Sequence, residues 1–269
     1  MQAHPLPGVT AVILAGGFGT RVRHLLPGIP KPMAPVLGRP FLDWVLAFLR
    51  REGVASAVLS TGHLAEVIGA HYATGFSSAV LSPARPGVVL AAHSGPGVPD
   101  GIRVQCVREE TPLGTAGGFL HAALSSQDAG ATKAWLVLNG DSLTVTHLRP
   151  LLDLVDDPSV DGGLLAVDLP DASRFGTLEV DGDGWLRRFR EKQPGAGLIN
   201  AGVYLLKAPL LQRAPQERPL SFETEFFPRL IESGARLRVI PCDAAFLDIG
   251  TPETLQQAEQ FVRSSAAWF

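Results

Sequence analysis

The sequence predicts an α/β protein: a three-layer sandwich in which a mixed, mostly parallel central sheet carries helices on both faces, with a small antiparallel subregion in the second half. Three observations predict it. Short apolar runs alternate with helix-like stretches through the first half of the chain. "TAVILAG" (10–16) and "KAWLVLNGD" (133–141) hold continuous apolar runs, as strands covered on both faces are. Further on, "RFGTLEVDGDGWLRRFREK" alternates apolar and polar residues on either side of "DGDG", the pattern of a hairpin.

The elements follow in order. "TAVILAG" is the first strand and runs into a glycine loop. A helix comes next over "FLDWVLAFLRREG", where Phe41, Trp44, Val45, Phe48 and Leu49 recur at helical spacing and Gly53 supplies a stop. "SAVLSTG" predicts a strand, "LAEVIGAHYA" a helix, "IRVQCVRE" a strand, "TAGGFLHAALSS" a helix and "KAWLVLNGD" a buried strand. After the hairpin, "LINAGVYLLK" reads as a strand, "SFETEFFPRLIESG" as a helix and "RLRVIPCDAAFLDIG" as one or two strands. The last helix, "TPETLQQAEQFVRSS", begins with Thr251 as N-cap and Pro252 at the first helical position. No repeat, low-complexity tract or linker interrupts the order, so one domain over 1–269 is expected.

Composition narrows the function. With 269 residues and 46% hydrophobic content the chain can fill a sizeable core. The net charge of -3 gives no general attraction to nucleic acid or an anionic membrane. Charge is distributed unevenly, however. From Met1 to Leu42 there is no acid, while Arg21, Arg23, Lys31 and Arg39 fall in that span. A local cationic field in a mildly acidic protein suits a small anion. No apolar run reaches the roughly 20 residues of a membrane helix, and "MQAHPLPG" has neither a basic start nor an apolar core, so no secretory signal is expected. Cys106 and Cys242 lie far apart in strand-like stretches and read as reduced thiols of a cytoplasmic protein.

The stretch "LAGGFGTRVRHLLPGIPKP" places three glycines in four residues directly after a buried strand, then Arg21, then Lys31 between Pro30 and Pro32. Glycines let a backbone turn sharply and approach a ligand closely. The loop is not a Walker A motif, because no G-x-x-x-x-G-K-[ST] string occurs. It is not a dinucleotide fingerprint either: counting from Gly17 and Gly19, the third glycine position holds Val22. It ends instead on an arginine, whose planar fork binds phosphate oxygens through two hydrogen bonds.

This stretch resembles the signature of the sugar-1-phosphate nucleotidyltransferases, L-A-G-G-x-G-T-R-L followed by P-K-P. "TPLGTAGG", "LNGDSL", "RFGTLEVD", "FREK", "INAGVYLL" and "FLDIGTPE" appear in the family's order and extend the resemblance over nearly the whole chain. Within the family the motifs look most like those of D-glycero-D-manno-heptose 1-phosphate guanylyltransferases, with mannose-1-phosphate guanylyltransferases close behind. The resemblance implies a Rossmann-like sandwich with a nucleotide-binding part over about 1–160, a sugar-binding part over about 161–250 and a C-terminal helix over 251–265. It implies a transfer of GMP from GTP to a sugar 1-phosphate, in which the sugar phosphate oxygen attacks the α-phosphorus and pyrophosphate leaves. Neutralisation and alignment carry such a reaction, and no nucleophilic side chain is needed.

The family's residues map onto this chain by motif. Leu14, Ala15, Gly16, Gly17, Gly19, Thr20 and Arg21 would contact the nucleotide, the loop amides lining the phosphates and Arg21 holding the departing pyrophosphate. Lys31 would bridge the α-phosphate and the sugar phosphate. Asp141 follows a buried strand at its C-terminal end, where α/β sheets bind ligands, and Asp248 occupies a like position after "AAFL"; both match the family's ligands for Mg²⁺. Gly114 and Thr115 match the base loop. Upstream, Glu109 offers an acceptor pair to the adjacent N1–H and N2–H donors of guanine. Uracil and thymine N3–H also suit a carboxylate, so the base stays open on the residues alone. Gly176, Glu191, Lys192 and Asn200 match the sugar-binding motifs. The alternatives are a mannose-1-phosphate guanylyltransferase, an N-acetylmuramate 1-phosphate uridylyltransferase and a silent sugar-nucleotide sensor, which the presence of Arg21, Lys31, Asp141 and Asp248 disfavours. The β-helix of hexapeptide repeats found in many relatives has no counterpart here, so a second activity is not expected. A homo-oligomer is compatible with the sequence.

Overall fold

Val9–Ala15 forms strand β1 in the middle of the sheet, and its side chains feed two cores. Val9, Ala11, Ile13 and Ala15 belong to one buried cluster and Val12 to the other. Both faces are covered, which is why the stretch is apolar without alternation. The computed structural model describes residues 6–72, 99–190 and 194–269 and the backbone of 88–89. A short hairpin, β2 (Pro35–Val36) and β3 (Arg39–Pro40), precedes helix α1 (Phe41–Arg51), β4 (Ser56–Thr61), α2 (Ala65–Tyr72) and β5 (Val88–Val89). Then come β6 (Arg103–Arg108), α3 (Thr115–Ser125), β7 (Ala134–Asn139), β8 (Ser142–Val145) and the single turn α4 (Arg149–Leu152). The second half holds β9 (Gly162–Leu169), β10 (Thr177–Val180), β11 (Leu186–Arg190) and β12 (Gly197–Lys207). It closes with α5 (Phe227–Glu232), β13 (Leu237–Cys242), β14 (Ala245–Asp248) and α6 (Pro252–Ser264).

Strands β7, β1, β4 and β6 are parallel neighbours in that order, as the buried apolar runs predict. In this register Leu14 stands between Asn139 and Ser60, so the carboxyl ends of three strands open at one edge. Beyond β7 the sheet turns antiparallel: β12 pairs with β7 and β9, and the hairpin β10–β11 joins through β10. The sheet is therefore mixed and mostly parallel at its centre. Between Asn200 and Tyr204, three residues of β12 oppose one of β9, and this bulge bends the strand beside the end of β7.

Two parts of the fold depart from the sequence reading. The sequence predicts one helix over 221–234, whereas a π-turn, Phe222–Phe226, precedes α5. Pro228 has no N–H to offer the carbonyl four residues back and its ring crowds that carbonyl. The chain widens by one residue to accommodate it, with Phe226 N donating to Ser221 O at 2.9 Å. Strands β8 and β9 carry no strand pattern in the sequence. β8 is only four residues long, and β9 opens on two glycines that weaken any local preference for a strand; tertiary pairing forms both.

Elsewhere the local signals hold. Thr251 caps α6 through a reciprocal bond with Thr254. Cys106 and Cys242 are free thiols, buried and half-buried, and burial pushes them up to about 12 and about 11. Among the described residues no helix is long and apolar enough to cross a membrane.

Candidate functional site

The glycine loop leaves β1 at the edge where the parallel strands end, and backbone bonds lace it to its neighbours. Gly140 N donates to Leu14 O at 2.9 Å and His63 N to Gly16 O at 3.2 Å. Lys31 opens a 3-10 turn over Lys31–Met33, with Pro30 before it and Pro32 within it. Restricted φ at both prolines leaves that backbone little freedom, and the stem of Lys31 packs against the loop at Gly19.

Asp141 and Asp248 are 107 positions apart, yet strands β8 and β14 bring them together. The ribbon pairs Asp248 with Ser142, and Ile249 N donates to Asp141 O at 3.0 Å. Both acids face one cavity of about 350 Å³. Its walls include Leu14 of β1, Gly16 and Gly17 of the loop, Glu109 and Gly114 after β6, Thr115 at the start of α3, and Asn139. Lys31 reaches into the group and forms an ion pair with the Asp141 carboxylate.

The electrostatics follow from that convergence. Burial raises the carboxyl of Asp248, the negative charge of Asp141 raises it further, and Lys31 opposes the rise. A raised carboxyl disfavours the ionised form, so ionised Asp248 costs stability in full above its folded pKa, and that cost is lost as pH falls from there to the ordinary carboxylate value. Asp248→Asn, which keeps an acceptor for the Gly250 N–H bond of 2.8 Å, is therefore expected to raise the Tm of the ligand-free protein at neutral pH by roughly 2 °C, the shift about 1 kcal/mol produces in a chain of this order of size. Thermal denaturation checks it; a lowered Tm would show that the two acids do not repel.

Glu109 is held from two sides: Ser60 Oγ donates to its Oε1 at 2.8 Å, and Leu113 N donates to its Oε2 at 3.2 Å. A Cβ at Gly16 or Gly118 would lie 2.9 or 2.6 Å from Oε1, which explains why the residues packed against this carboxylate are glycines. Each oxygen keeps a lone pair for a further donor. Gly114, at φ 74°, lies where a Cβ would meet Leu220 O at 2.5 Å.

A second cavity of about 590 Å³ adjoins the first and shares Asn139 with it. Gly176 and Asn200 line it, as do Arg174, Glu223 and Thr224. Asn200 Nδ2 donates to Tyr204 Oη at 2.7 Å and to Glu223 Oε1 at 3.4 Å, and its Oδ1 accepts from Gly202 N at 3.0 Å. Ser221 Oγ donates to Glu223 Oε2 at 3.2 Å. Hydrogen bonds tie the two cavity walls together: Leu220 N donates to Leu113 O at 2.8 Å and Phe222 N to Thr115 Oγ1 at 3.0 Å, one residue before Glu223.

Most residues singled out from the sequence meet here. Leu14, Gly16, Gly17, Glu109, Gly114, Thr115, Asp141 and Asp248 share the first cavity, and Gly176 and Asn200 the second. Gly19 and Lys31 line a smaller hollow of about 90 Å³ beside the loop. The side chain of Ala15 belongs to the core, while Thr20 and Arg21 are exposed and line none of these cavities. Glu191 and Lys192 lie outside the described residues. Sequence reasoning passed over Asn139, Arg174 and Glu223. The first two stand inside quoted motifs, two residues before Asp141 and Gly176, whereas "SFETEF" carried no signal beyond helix periodicity.

The family model described as nucleotidyl transferase matches residues 10–265. The mannose-1-phosphate guanylyltransferase of Mycobacterium tuberculosis is 34% identical over 96% of this chain, which spans 64% of that protein's length. The D-glycero-alpha-D-manno-heptose 1-phosphate guanylyltransferase of Campylobacter jejuni is 31% identical over 90% of this chain and 95% of its own. Among solved structures, HddC from Yersinia pseudotuberculosis complexed with GMP-PN superposes with a TM-score of 0.72 at 28% identity, covering 93% of this chain and 98% of that one.

Proposed function

The chain belongs to the nucleotidyl transferase family, and from that premise we propose that it transfers GMP from GTP to D-glycero-D-manno-heptose 1-phosphate, giving GDP-heptose and pyrophosphate. The observation that carries the reading is that the glycine loop, Asp141 and Asp248 face one cavity, that Lys31 is ion-paired to Asp141 from the neighbouring hollow, and that the cavity adjoins a second, polar one at Asn139. A sugar phosphate oxygen forms a bond to the α-phosphorus as the bond to the bridging oxygen breaks, and the electron pair leaves with pyrophosphate. No proton need be moved by the protein.

Each part then has a task. The loop amides face the phosphates. Lys31, fixed between prolines, neutralises charge where the two phosphates meet, and its pairing with Asp141 keeps it aimed there before substrate arrives. Arg21, exposed and without an ion pair among the described residues, is free to meet pyrophosphate. Asp141 and Asp248 would hold Mg²⁺: their mutual repulsion marks a place for a cation, and two carboxylates completed by phosphate oxygens and water are the donor set this ion takes. When bound, it would neutralise the charge that builds on the triphosphate. Glu109, with a lone pair left on each oxygen, faces the base loop and suits the paired N–H donors of guanine. The naming of the relatives as guanylyltransferases supports the same base.

The 31% identity to the heptose relative supports the seven-carbon substrate. Mannose 1-phosphate is the second reading, favoured by the 34% identity to the mycobacterial protein. A panel of four nucleoside triphosphates against heptose and mannose 1-phosphates, read by pyrophosphate release, tests both. GTP is expected to exceed UTP by about 10-fold or more, because a site built for two donors leaves an acceptor unpaired with one. Equal or faster release with UTP or dTTP removes the guanine assignment. No release with any pair removes the enzymatic one.

A further inference from the structure

We infer that Arg174 binds the phosphate of the incoming sugar 1-phosphate beside the carboxylate pair, acting as its guanidinium clamp. The inference rests on the proposed function and adds to it a residue the motif assignments leave out. Arg174 lines the second cavity together with Asn139, Gly176 and Asn200. It is carried by a short turn that is built rather than loose: Asp171 Oδ1 accepts from Ser173 N at 3.0 Å, and Phe175 N donates to Ala172 O at 2.9 Å. Ala172 is buried in the main core. Phe175 packs edge-on against Phe246 with centroids 5.4 Å apart, two residues before Asp248 on β14.

The turn is thereby fastened to the strand that ends on Asp248, and the Arg174 charge acts on both Asp248 and Glu253. Among the described residues Arg174 forms neither an ion pair nor a side-chain hydrogen bond; its guanidinium lies 5.6 Å from the Phe175 ring centroid. Arg190, which lines the same cavity, is instead committed to Glu179. The cavity thus combines an uncommitted guanidinium near Asp248 with hydroxyl-matching groups, Asn200 and Glu223, on β12 and the π-turn. A ligand with an anionic end and a polyhydroxyl body fits that division of charge. A planar fork with parallel N–H donors suits a phosphate better than a point charge would.

Steady-state kinetics and calorimetry on wild type, Arg174→Ala and Arg174→Lys test it. Arg174→Ala is expected to raise KM for the sugar 1-phosphate about 10- to 100-fold, the scale of charged hydrogen bonds, with KM for GTP changed less than 2-fold. Arg174→Lys should recover part of the loss. Equal increases in both KM values, or an unchanged sugar KM, overturn the inference. Calorimetric binding of mannose 1-phosphate reads the contact without turnover: at least 10-fold weaker binding to Arg174→Ala supports it, and equal binding overturns it. Absence of turnover in the wild type would instead overturn the proposed function, and the binding comparison would still decide the role of Arg174.

Discussion

Asp141→Asn is expected to slow pyrophosphate release by roughly 10³-fold, the loss that follows removal of one preorganised electrostatic partner, while the fold stays intact. The residue sits on the short link between β7 and β8, where its carbonyl accepts from Ile249 N at 3.0 Å, and that bond does not depend on the side chain. What the substitution removes is one of the two aspartate charges facing the cavity and the ion-pair partner of Lys31. Asparagine keeps an oxygen in place but cannot balance a cation. Steady-state rates at saturating GTP check the effect, and retention of more than a tenth of wild-type activity would contradict the role given to this acid.

Gly114→Ala is expected to destabilise the protein by about 3 kcal/mol, combining a backbone region nearly closed to side chains with overpacking. Gly114 has φ 74° and ψ 169°, and a new methyl would lie 2.5 Å from Leu220 O and 2.8 Å from Leu220 N. Leu220 cannot simply retreat. Its carbonyl accepts from Ala116 N at 3.0 Å and Gly117 N at 3.1 Å, and its own N–H donates to Leu113 O. The same segment leads through the Phe222–Thr115 bond to Glu223 in the second cavity. Displacing it should lower Tm by roughly 6–12 °C and raise KM for both substrates together. A melt within 2 °C of wild type, with unchanged KM values, would contradict the close contact of Gly114 with Leu220 and its coupling to both cavities.

The parallel core was legible because β1 and β7 are buried on both faces and say so in their composition. The glycine loop and Lys31 were legible for a similar reason: both depend on residue types with special backbones, and those types are visible in one dimension. The pairing of Asp141 with Asp248 was not derivable from pattern, since it depends on β8, a four-residue strand whose partner β14 lies about a hundred residues on. Family resemblance supplied the two acids; the ribbon supplies the reason they meet. Glu109 was legible as an acceptor for a base, but its bonds to Ser60 and Leu113 N, which make it a brace for the base loop, arise from neighbouring strands. Arg174 and Glu223 looked like ordinary polar residues of a hairpin flank and a helix. Only the bulge in β12 and the π-turn before Pro228 bring Asn200 and Glu223 to one cavity with Arg174.

The central claim is that the glycine-lined cavity and the two aspartates act on one triphosphate through a shared cation. Crystals grown with GTP and Mn²⁺ and measured at the manganese edge test it most directly. A single anomalous peak within about 2.0–2.6 Å of carboxylate oxygens from both Asp141 and Asp248, with triphosphate density against Gly16 and Gly17, is the predicted result. Nucleotide bound in that cavity with no metal touching either acid would contradict the account.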